Sequence, residues 1–185
     1  IGIGDVSGHG LSAGITALIQ QAAFQSSVFT SLSLGKLVQP YELYNIVNKV
    51  LCRLNSERIG SDKFMTQNYF YEKDGNFLFA GAHEIALLYD NKEEKIIELT
   101  GCSKETAFMG LSSHIDSKTS SGTFRMEEGD ILVLYTDGII EAKDHFSSQF
   151  GLTNLSHILL THYRLNAAEL IKKILSKVHA HAIEG

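Results

Sequence analysis

The first third of the chain has the apolar spacing of two amphipathic helices. In the first stretch the larger apolar residues recur at i, i+4 and i+7, and they are Leu11, Ile15, Leu18, Ile19 and Ala22. This spacing predicts a helix from Leu11 to Thr30. After a polar break, Pro40 suits a first helical turn, and apolar residues at the same spacing predict a second helix that ends near Glu57. We expect this long apolar stripe, from Leu11 to Leu54, to face the core, although such a face could also support a homodimer.

The middle of the chain changes to the two-residue period of β-strands. Aromatic and β-branched residues predict six strands, over 64–71, 77–80, 85–89, 95–99, 123–126 and 131–136. Short polar turns at 73–76, 90–94 and 127–130 separate them pairwise, which predicts three antiparallel hairpins. Residues 100–121 are rich in Ser, Thr, Gly and Lys and predict an irregular connection.

The last third returns to helical spacing. Apolar positions predict helices over 152–159 and 170–178, and Asn166 with Glu169 three residues later resembles a capping box that opens the second of them. The order is therefore helices, then hairpins, then helices. This order predicts an α+β fold with segregated layers rather than alternating βαβ units.

Composition and charge exclude several classes of protein. With 185 residues, 44% hydrophobic and 20% charged, the chain fits one globular domain and is not disordered. A net charge of −5 without a basic stripe argues against nucleic acid as a partner. The longest strong apolar run, 131–135, is too short to span a membrane, and the isolated Cys52 and Cys102 favour a reducing, cytoplasmic location. Because Ile1 is not Met, we expect a piece of a longer protein.

Two segments share a pattern in which an apolar strand runs into an aspartate followed by glycine. The first leads to Asp5 and the second to Asp137. A carboxylate at the end of a buried strand needs a positive partner, and neither aspartate has a Lys or Arg beside it in the sequence. A divalent cation is such a partner, and carboxylate, carbonyl and water ligands select Mg²⁺ or Mn²⁺ over zinc. An ordinary turn after each strand is the alternative, and spacing alone leaves both interpretations open.

The same two segments carry a resemblance to a known family. Residues 4–10 (Gly-Asp-Val-Ser-Gly-His-Gly) with Ser12-Ala13, and residues 129–138 with Glu141-Ala142, resemble the two signature blocks of the stage II sporulation protein E and sigma-factor regulator phosphatases. These are the bacterial branch of the metal-dependent PPM (type 2C) serine/threonine phosphatases. Segments 64–66, 79–83 and 150–151 also match the family in order, so that the similarity spans roughly residues 1–155.

The resemblance implies a fold and a metal centre. The fold would be a four-layer αββα sandwich of antiparallel sheets, here a single PPM-type domain over 1–185 that lacks its first and last strands. The centre would hold two Mn²⁺ or Mg²⁺ ions, with Asp5 bridging both, the backbone carbonyl of Val6 binding one and Asp137 binding the other. Asp5 and Asp137 would then be the catalytic residues, because the metals activate the water that attacks phosphorus.

The resemblance also implies partners, and the departures from it affect the expected activity. The substrate would be a phosphorylated regulatory protein of the STAS (anti-sigma-factor antagonist) type, and the parent chain would carry an upstream sensory or receiver domain. The family's upstream acidic residue and its terminal Asp-Asp-x-Thr block do not occur in the sequence. We therefore expect partial metal occupancy and weak activity for this segment.

Two other functions compete with this interpretation. Without the missing ligands, the chain could be a catalytically inactive phosphatase-like module that binds or signals. Residues 10–14 (Gly-Leu-Ser-Ala-Gly) also match the nucleophile elbow of serine hydrolases, with Ser12 as nucleophile. That elbow requires a strand directly before the serine and a parallel sheet.

Among the remaining polar residues, we expect His83 to be structural and Asp130 to lie in a solvated turn.

Overall fold

The structure of the chain is a computed structural model that describes residues 1–59, 63–100, 108–113 and 121–184. Its strands are β1 (Gly2–Val6), β2 (Met65–Lys73), β3 (Asn76–Ala82), β4 (Ala86–Asp90), β5 (Lys95–Leu99), β6 (Ser121–Arg125) and β7 (Ile131–Val133). Its α-helices are α1 (Leu11–Ser33), α2 (Pro40–Leu54), α3 (Asp137–Ile140), α4 (Gly151–His162) and α5 (Ala167–Glu184). The chain forms two compact units, unit 1 with Ile1–His83 and Thr100–Arg125, and unit 2 with Glu84–Leu99 and Met126–Gly185.

Unit 1 is a four-stranded antiparallel sheet with two helices. The strand order is β1-β2-β3-β6, and Asp5 on β1 lies opposite Thr66 on β2. Helix α2 begins with Pro40, a residue that is favoured in the first helical turn, and with a capping box between Gln39 and Glu42. Its apolar stripe is buried against β2 and β3, as predicted, and the core consists of Leu43, Tyr44, Val47, Leu51, Met65, Tyr69, Ala82 and Met109.

The predicted orientation of α1 is wrong for Leu11, Ile15, Leu18 and Ala22, which are exposed, whereas Ile19 packs partly buried against the core of unit 1. The structure buries Ala13, Thr16 and Gln20 on this helix, whereas Leu11 and Leu18 are 81% and 72% exposed. The polar residue Gln20 tolerates burial because its amide nitrogen donates a hydrogen bond to the Tyr69 hydroxyl at 2.8 Å. This partner is 49 residues away in the sequence, so the apolar periodicity of α1 could not reveal it.

Unit 2 is a three-stranded antiparallel sheet with the C-terminal helices. The strand order is β5-β4-β7. Helix α5 has the predicted capping box, in which Asn166 Oδ1 accepts from the Glu169 amide at 3.0 Å and Glu169 Oε2 accepts from the Asn166 amide at 3.3 Å. The core consists of Leu87, Tyr89, Tyr135, Phe150, Leu155, Ile158, Leu159, Leu170 and Ile174.

Two of the three predicted hairpins are confirmed and the third is wrong. The β2–β3 turn places Asp74 and Gly75 at positive φ, and β4 pairs with β5 through the predicted polar turn. In contrast, β6 pairs with β3 and β7 pairs with β4, so these consecutive strands belong to different sheets. Side-chain packing explains the separation of β6, because Phe124 stacks on Phe77 of β3 with ring centroids 4.8 Å apart.

The predicted irregular connection over residues 100–121 is described only in part. Residues 101–107 and 114–120 of the predicted irregular connection, including Cys102, lie outside the described residues. Between them, Met109 forms an isolated antiparallel bridge with Met65 of β2. Cys52 is half-buried. Within the described ranges, none of the helices is long and apolar enough to cross a membrane.

Candidate metal centre

Asp5 lies at the end of β1 with its carboxylate exposed to solvent. Asp5 Oδ1 accepts a hydrogen bond from the Val6 amide at 2.8 Å. The expectation that burial would force a positive partner on this carboxylate is therefore wrong, because water already solvates it. The feature that suits Asp5 to a metal is instead its open position at the end of β1, next to the Val6 carbonyl.

Two glycines let the β1 segment approach its neighbours closely. A side chain at Gly4 would collide with the carbonyl oxygen of Thr66 and with the Gln67 side chain. Gly8, in the loop that follows Asp5, has φ 75°, and a side chain there would meet the Lys63 ammonium. These glycines are required so that Asp5 sits directly beside β2 and the loop turns back over it.

The backbone carbonyl of Asp5 is held by a pair of side chains that sequence reasoning did not place there. The Thr66 hydroxyl donates to this carbonyl at 3.5 Å, and His83 Nδ1 lies 2.7 Å from the same hydroxyl. The tautomer of His83 decides which of the two groups donates in the 2.7 Å hydrogen bond between His83 Nδ1 and the Thr66 hydroxyl. His83 is only 7% exposed, which agrees with the structural role predicted for it.

The positively charged side chain of Lys63 also lies beside the loop that follows Asp5. The Ser7 amide donates to the Phe64 carbonyl at 2.8 Å, and the Phe64 amide donates to the Ser7 hydroxyl at 3.1 Å. This reciprocal pair fastens the loop to the start of β2, and it brings the Lys63 ammonium against Gly8. The sequence places Lys63 more than fifty residues from Asp5, so only the pairing of β1 with β2 reveals their proximity.

Asp137 belongs to unit 2 and starts the short helix α3. The strand before it ends at Val133 rather than Thr136, so Asp137 does not directly follow a strand. Its side chain is exposed, and its carbonyl accepts from the Glu141 amide at 2.8 Å. Burial raises the pKa of the nearby Glu84, and the negative charges of Asp137 and Glu141 raise it further. These carboxylates repel one another, and a bound cation would reduce that repulsion.

Asp130 and Asp144 hold the loops before and after Asp137. Asp130 lies beside the predicted exposed turn, and its two carboxylate oxygens accept from the Asn91 amide at 2.9 Å and the Glu127 amide at 2.8 Å. Asp144 Oδ1 accepts from the backbone amides of residues 146 and 148. Both carboxylates are engaged in ordering backbone, which is a structural role.

The oxygen donors of both units suit a hard divalent ion. Asp5 with the Val6 carbonyl in unit 1, and Asp137 in unit 2, offer carboxylate and carbonyl oxygens, which Mg²⁺ and Mn²⁺ prefer. Among the residues that the structure describes, no three His, Cys, Asp or Glu side chains converge on one point. The donor chemistry therefore fits such an ion, and each unit by itself provides only part of a coordination shell.

The serine-hydrolase interpretation fails on geometry. Ser12 lies in the first turn of α1, where its carbonyl accepts from the Thr16 hydroxyl at 3.1 Å. Strand β1 ends at Val6, and its partner β2 is antiparallel. A nucleophile elbow needs the serine directly after a strand of a parallel sheet, so Ser12 is not in one.

Comparison with known proteins decides the family. The model of the stage II sporulation protein E (SpoIIE) family matches residues 1–184, which is nearly the whole chain. The chain belongs to the SpoIIE family. This match confirms the resemblance that the segments around Asp5 and Asp137 carry.

Individual relatives agree with this assignment. The phosphoserine phosphatase RsbU of Bacillus subtilis (strain 168) is 25% identical over 177 residues, which cover 94% of this chain and 48% of RsbU. The chain thus spans about half the length of this curated relative. The SiaA-PP2C domain of Pseudomonas aeruginosa superposes with a TM-score of 0.76 at 16% identity, covering 97% of this chain and 68% of that one.

A second solved structure, which contains manganese, has the same fold. The catalytic domain of the serine/threonine protein phosphatase PstP, solved in complex with two manganese ions, superposes with a TM-score of 0.66 at 10% identity. It covers 96% of this chain and 79% of the PstP chain. Together with the antiparallel sheets and helices described above, these superpositions confirm the predicted PPM-like α+β fold.

Proposed function

We propose that this chain is a metal-dependent phosphatase domain that removes phosphate from a phosphoserine or phosphothreonine of a regulatory protein. The family match over residues 1–184 carries the proposal, because it includes both aspartate segments in the expected order. Asp5, the Val6 carbonyl and Asp137 would hold Mn²⁺ or Mg²⁺. When bound, such an ion lowers the pKa of a water ligand and neutralises charge on the phosphoryl oxygens.

The residues around Asp5 have defined tasks in this proposal. Thr66 and His83 fix the Asp5 backbone, so that its carboxylate keeps one orientation relative to the Val6 carbonyl. Lys63 places a positive charge beside the loop at Gly8, where it attracts a phosphate dianion before reaction. In this scheme Asp5 and Asp137 bind the ion, while Lys63 binds substrate.

Partners and location follow from the relatives by analogy. RsbU bears the name phosphoserine phosphatase, which supports a phosphoprotein substrate for this chain as well. A STAS-type protein as that substrate, an upstream sensory or receiver domain and a cytoplasmic location are parts of the same proposal. The second candidate function is a phosphatase-like module without turnover, which the lack of a three-ligand cluster among the described residues favours.

Phosphate release by the full-length protein separates the two candidates. The assay uses p-nitrophenyl phosphate with Mn²⁺, with Mg²⁺, and with EDTA. Catalysis predicts metal-dependent release that Asp5→Asn and Asp137→Asn each abolish. Asp74→Asn is the matched control, because Asp74 is exposed in the β2–β3 turn at φ 52°, a conformation that asparagine also adopts. No release with any metal supports the module without turnover.

A further inference from the structure

A cavity of about 270 Å³ lies in unit 1 between α1, α2 and β2. Leu43 of α2 and Tyr69 of β2 line it, and both are buried members of the core of unit 1. Phe24 and Val28 of α1 line it as well, and they pack partly buried against the same core. A ligand in this cavity would therefore contact the hydrophobic core of unit 1 and not only its surface.

The loop between α1 and α2 borders the cavity, and hydrogen bonds fix its backbone. Gly35 has φ 64°, and its amide donates to the Leu32 carbonyl at 3.0 Å. The Lys36 amide donates to the Ser31 carbonyl at 2.9 Å. These two bonds and the left-handed glycine form a Schellman motif, which ends a helix in a defined conformation. Ser31 and Lys36, which both line the cavity, therefore hold set positions beside it.

The two ends of the cavity differ in polarity. Ser31 and Lys36 place a hydroxyl and an ammonium at the loop, whereas α2 and β2 contribute apolar and aromatic walls that include Pro40, Leu43 and Phe70. Lys36 is exposed, so its ammonium stays hydrated at the opening. Such a site fits a ligand with an anionic head and an apolar tail. One ammonium and one hydroxyl match the single charge of a carboxylate better than the double charge of a phosphate.

The volume of the cavity limits the length of the tail. An apolar cavity of about 150 Å³ is large enough to bind benzene. By this measure, 270 Å³ holds a tail of roughly ten carbon atoms. A membrane lipid with two long acyl chains exceeds this volume. The size therefore favours a free ligand with a single chain.

We propose that this cavity binds an aliphatic carboxylate of medium chain length. The tail lies against Leu43 and Tyr69, and the carboxylate lies at the opening beside Lys36. Burial of the tail supplies most of the affinity, and the lysine selects the charged head group. This binding site does not rest on the phosphatase activity proposed above.

A series of ligands of increasing chain length tests the fit of the tail. Isothermal titration calorimetry of the full-length protein measures the dissociation constants of hexanoate, octanoate, decanoate, dodecanoate and tetradecanoate, each below its critical micelle concentration. Each buried methylene should raise the affinity by up to about fourfold. We expect this rise to stop near decanoate, where the tail fills the cavity, whereas adsorption to an open apolar surface would continue to strengthen with chain length. Decanol, which lacks the charge, should bind more weakly than decanoate.

A larger side chain inside the cavity tests the location of the site. Val28→Phe places a ring in the space of several methylenes and should weaken decanoate binding by at least about tenfold. Ser26→Phe is the matched control, because Ser26 is exposed on the same helix and should leave the binding unchanged. Circular dichroism checks that both variants remain folded.

A neutral side chain at the opening tests the head group. Lys36→Gln should weaken decanoate binding about two- to fivefold, as loss of an exposed ion pair does, and should leave decanol binding unchanged. Lys49→Gln, at an exposed position of α2, is the matched control. Because Lys36 is exposed, this variant keeps the proposal testable even if Val28→Phe unfolds.

Four results would overturn the proposal. The first is no decanoate binding by the wild-type protein, as when another segment of the full-length chain fills the cavity. The second is an affinity that keeps rising through tetradecanoate. The third is wild-type affinity in a folded Val28→Phe protein, which would place the ligand elsewhere, and the fourth is unchanged decanoate binding by Lys36→Gln.

Discussion

The buried hydrogen bond between Gln20 and Tyr69 gives the sharpest prediction about how α1 is held. Tyr69 is 2% exposed, its ring stacks on Phe24 with centroids 4.9 Å apart, and it meets Tyr44 edge-on at 6.1 Å. Tyr69→Phe keeps these ring contacts and removes only the hydroxyl. The change in the free energy of unfolding therefore reports the hydrogen bond rather than the packing.

The structure sets the size of the effect. A buried donor left unpaired costs about 1 to 3 kcal/mol. Gln20 and Tyr69 also line an open groove of about 630 Å³ that Asp5 and Gln67 border. Water in this groove can reach the Gln20 amide after the substitution, so we expect a loss of about 1 kcal/mol, near the lower end of that range.

The pH dependence supplies an independent signature. Burial raises the pKa of Tyr69 above its ordinary value of 10, and the hydrogen bond from Gln20 lowers it by a smaller amount. Because the folded-state pKa is raised, the stabilising contribution of the neutral phenol is complete below pH 10 and decreases as the pH rises above 10. Phenylalanine does not titrate, so the stability difference between wild type and Tyr69→Phe should shrink above pH 10.

Urea unfolding followed by far-ultraviolet circular dichroism measures these terms. Wild type, Gln20→Leu, Tyr69→Phe and the double variant form a cycle, and we expect a coupling free energy of about 1 kcal/mol. A Tyr69→Phe protein as stable as wild type at neutral pH, with no coupling in the cycle, would refute the hydrogen bond as the reason that α1 buries Gln20.

Three further substitutions test other parts of the structure. Leu51→Ala should lower the free energy of unfolding by about 2 to 5 kcal/mol in urea titrations, because Leu51 is fully buried in unit 1. Asp130→Ala should lower it by about 1 to 3 kcal/mol, because the amides of Asn91 and Glu127 lose their acceptor, whereas Glu128→Ala should be neutral. Lys63→Gln should raise KM for p-nitrophenyl phosphate several-fold with kcat nearly unchanged, and steady-state kinetics with an unchanged KM would contradict its role in binding substrate.

The sequence predicted most elements because their patterns are local. The α2 stripe, the β2–β3 and β4–β5 hairpins and the α5 capping box each depend on residues a few positions apart. The orientation of α1 and the pairing of β6 depend on distant partners. The hydroxyl of Tyr69 pairs with the buried Gln20 amide, and the ring of Phe77 stacks on Phe124 and so favours pairing of β6 with β3. Neither contact leaves a pattern among neighbouring residues in the sequence.

The residues of the candidate site also differ in whether the sequence alone could reveal them. Asp5 and Asp137 could be found because each lies in a motif of contiguous residues. Thr66 and Lys63 approach the Asp5 segment only through the register of β1 on β2, which a single sequence does not determine. Desolvation does not force a positive partner on Asp5, because this residue is exposed even though it lies at the end of an apolar strand.

Manganese binding by the full-length protein tests the central proposal most directly, because it does not depend on the substrate. Electron paramagnetic resonance of free Mn²⁺ gives the dissociation constant for wild type, Asp5→Asn, Asp137→Asn and the Asp74→Asn control. We predict that Asp5→Asn and Asp137→Asn each weaken binding by at least about tenfold, because mutating even a residue that only supports a metal ligand costs about that much. We predict that Asp74→Asn binds as wild type does. Wild-type affinity in both the Asp5→Asn and the Asp137→Asn proteins would contradict a metal centre at these aspartates.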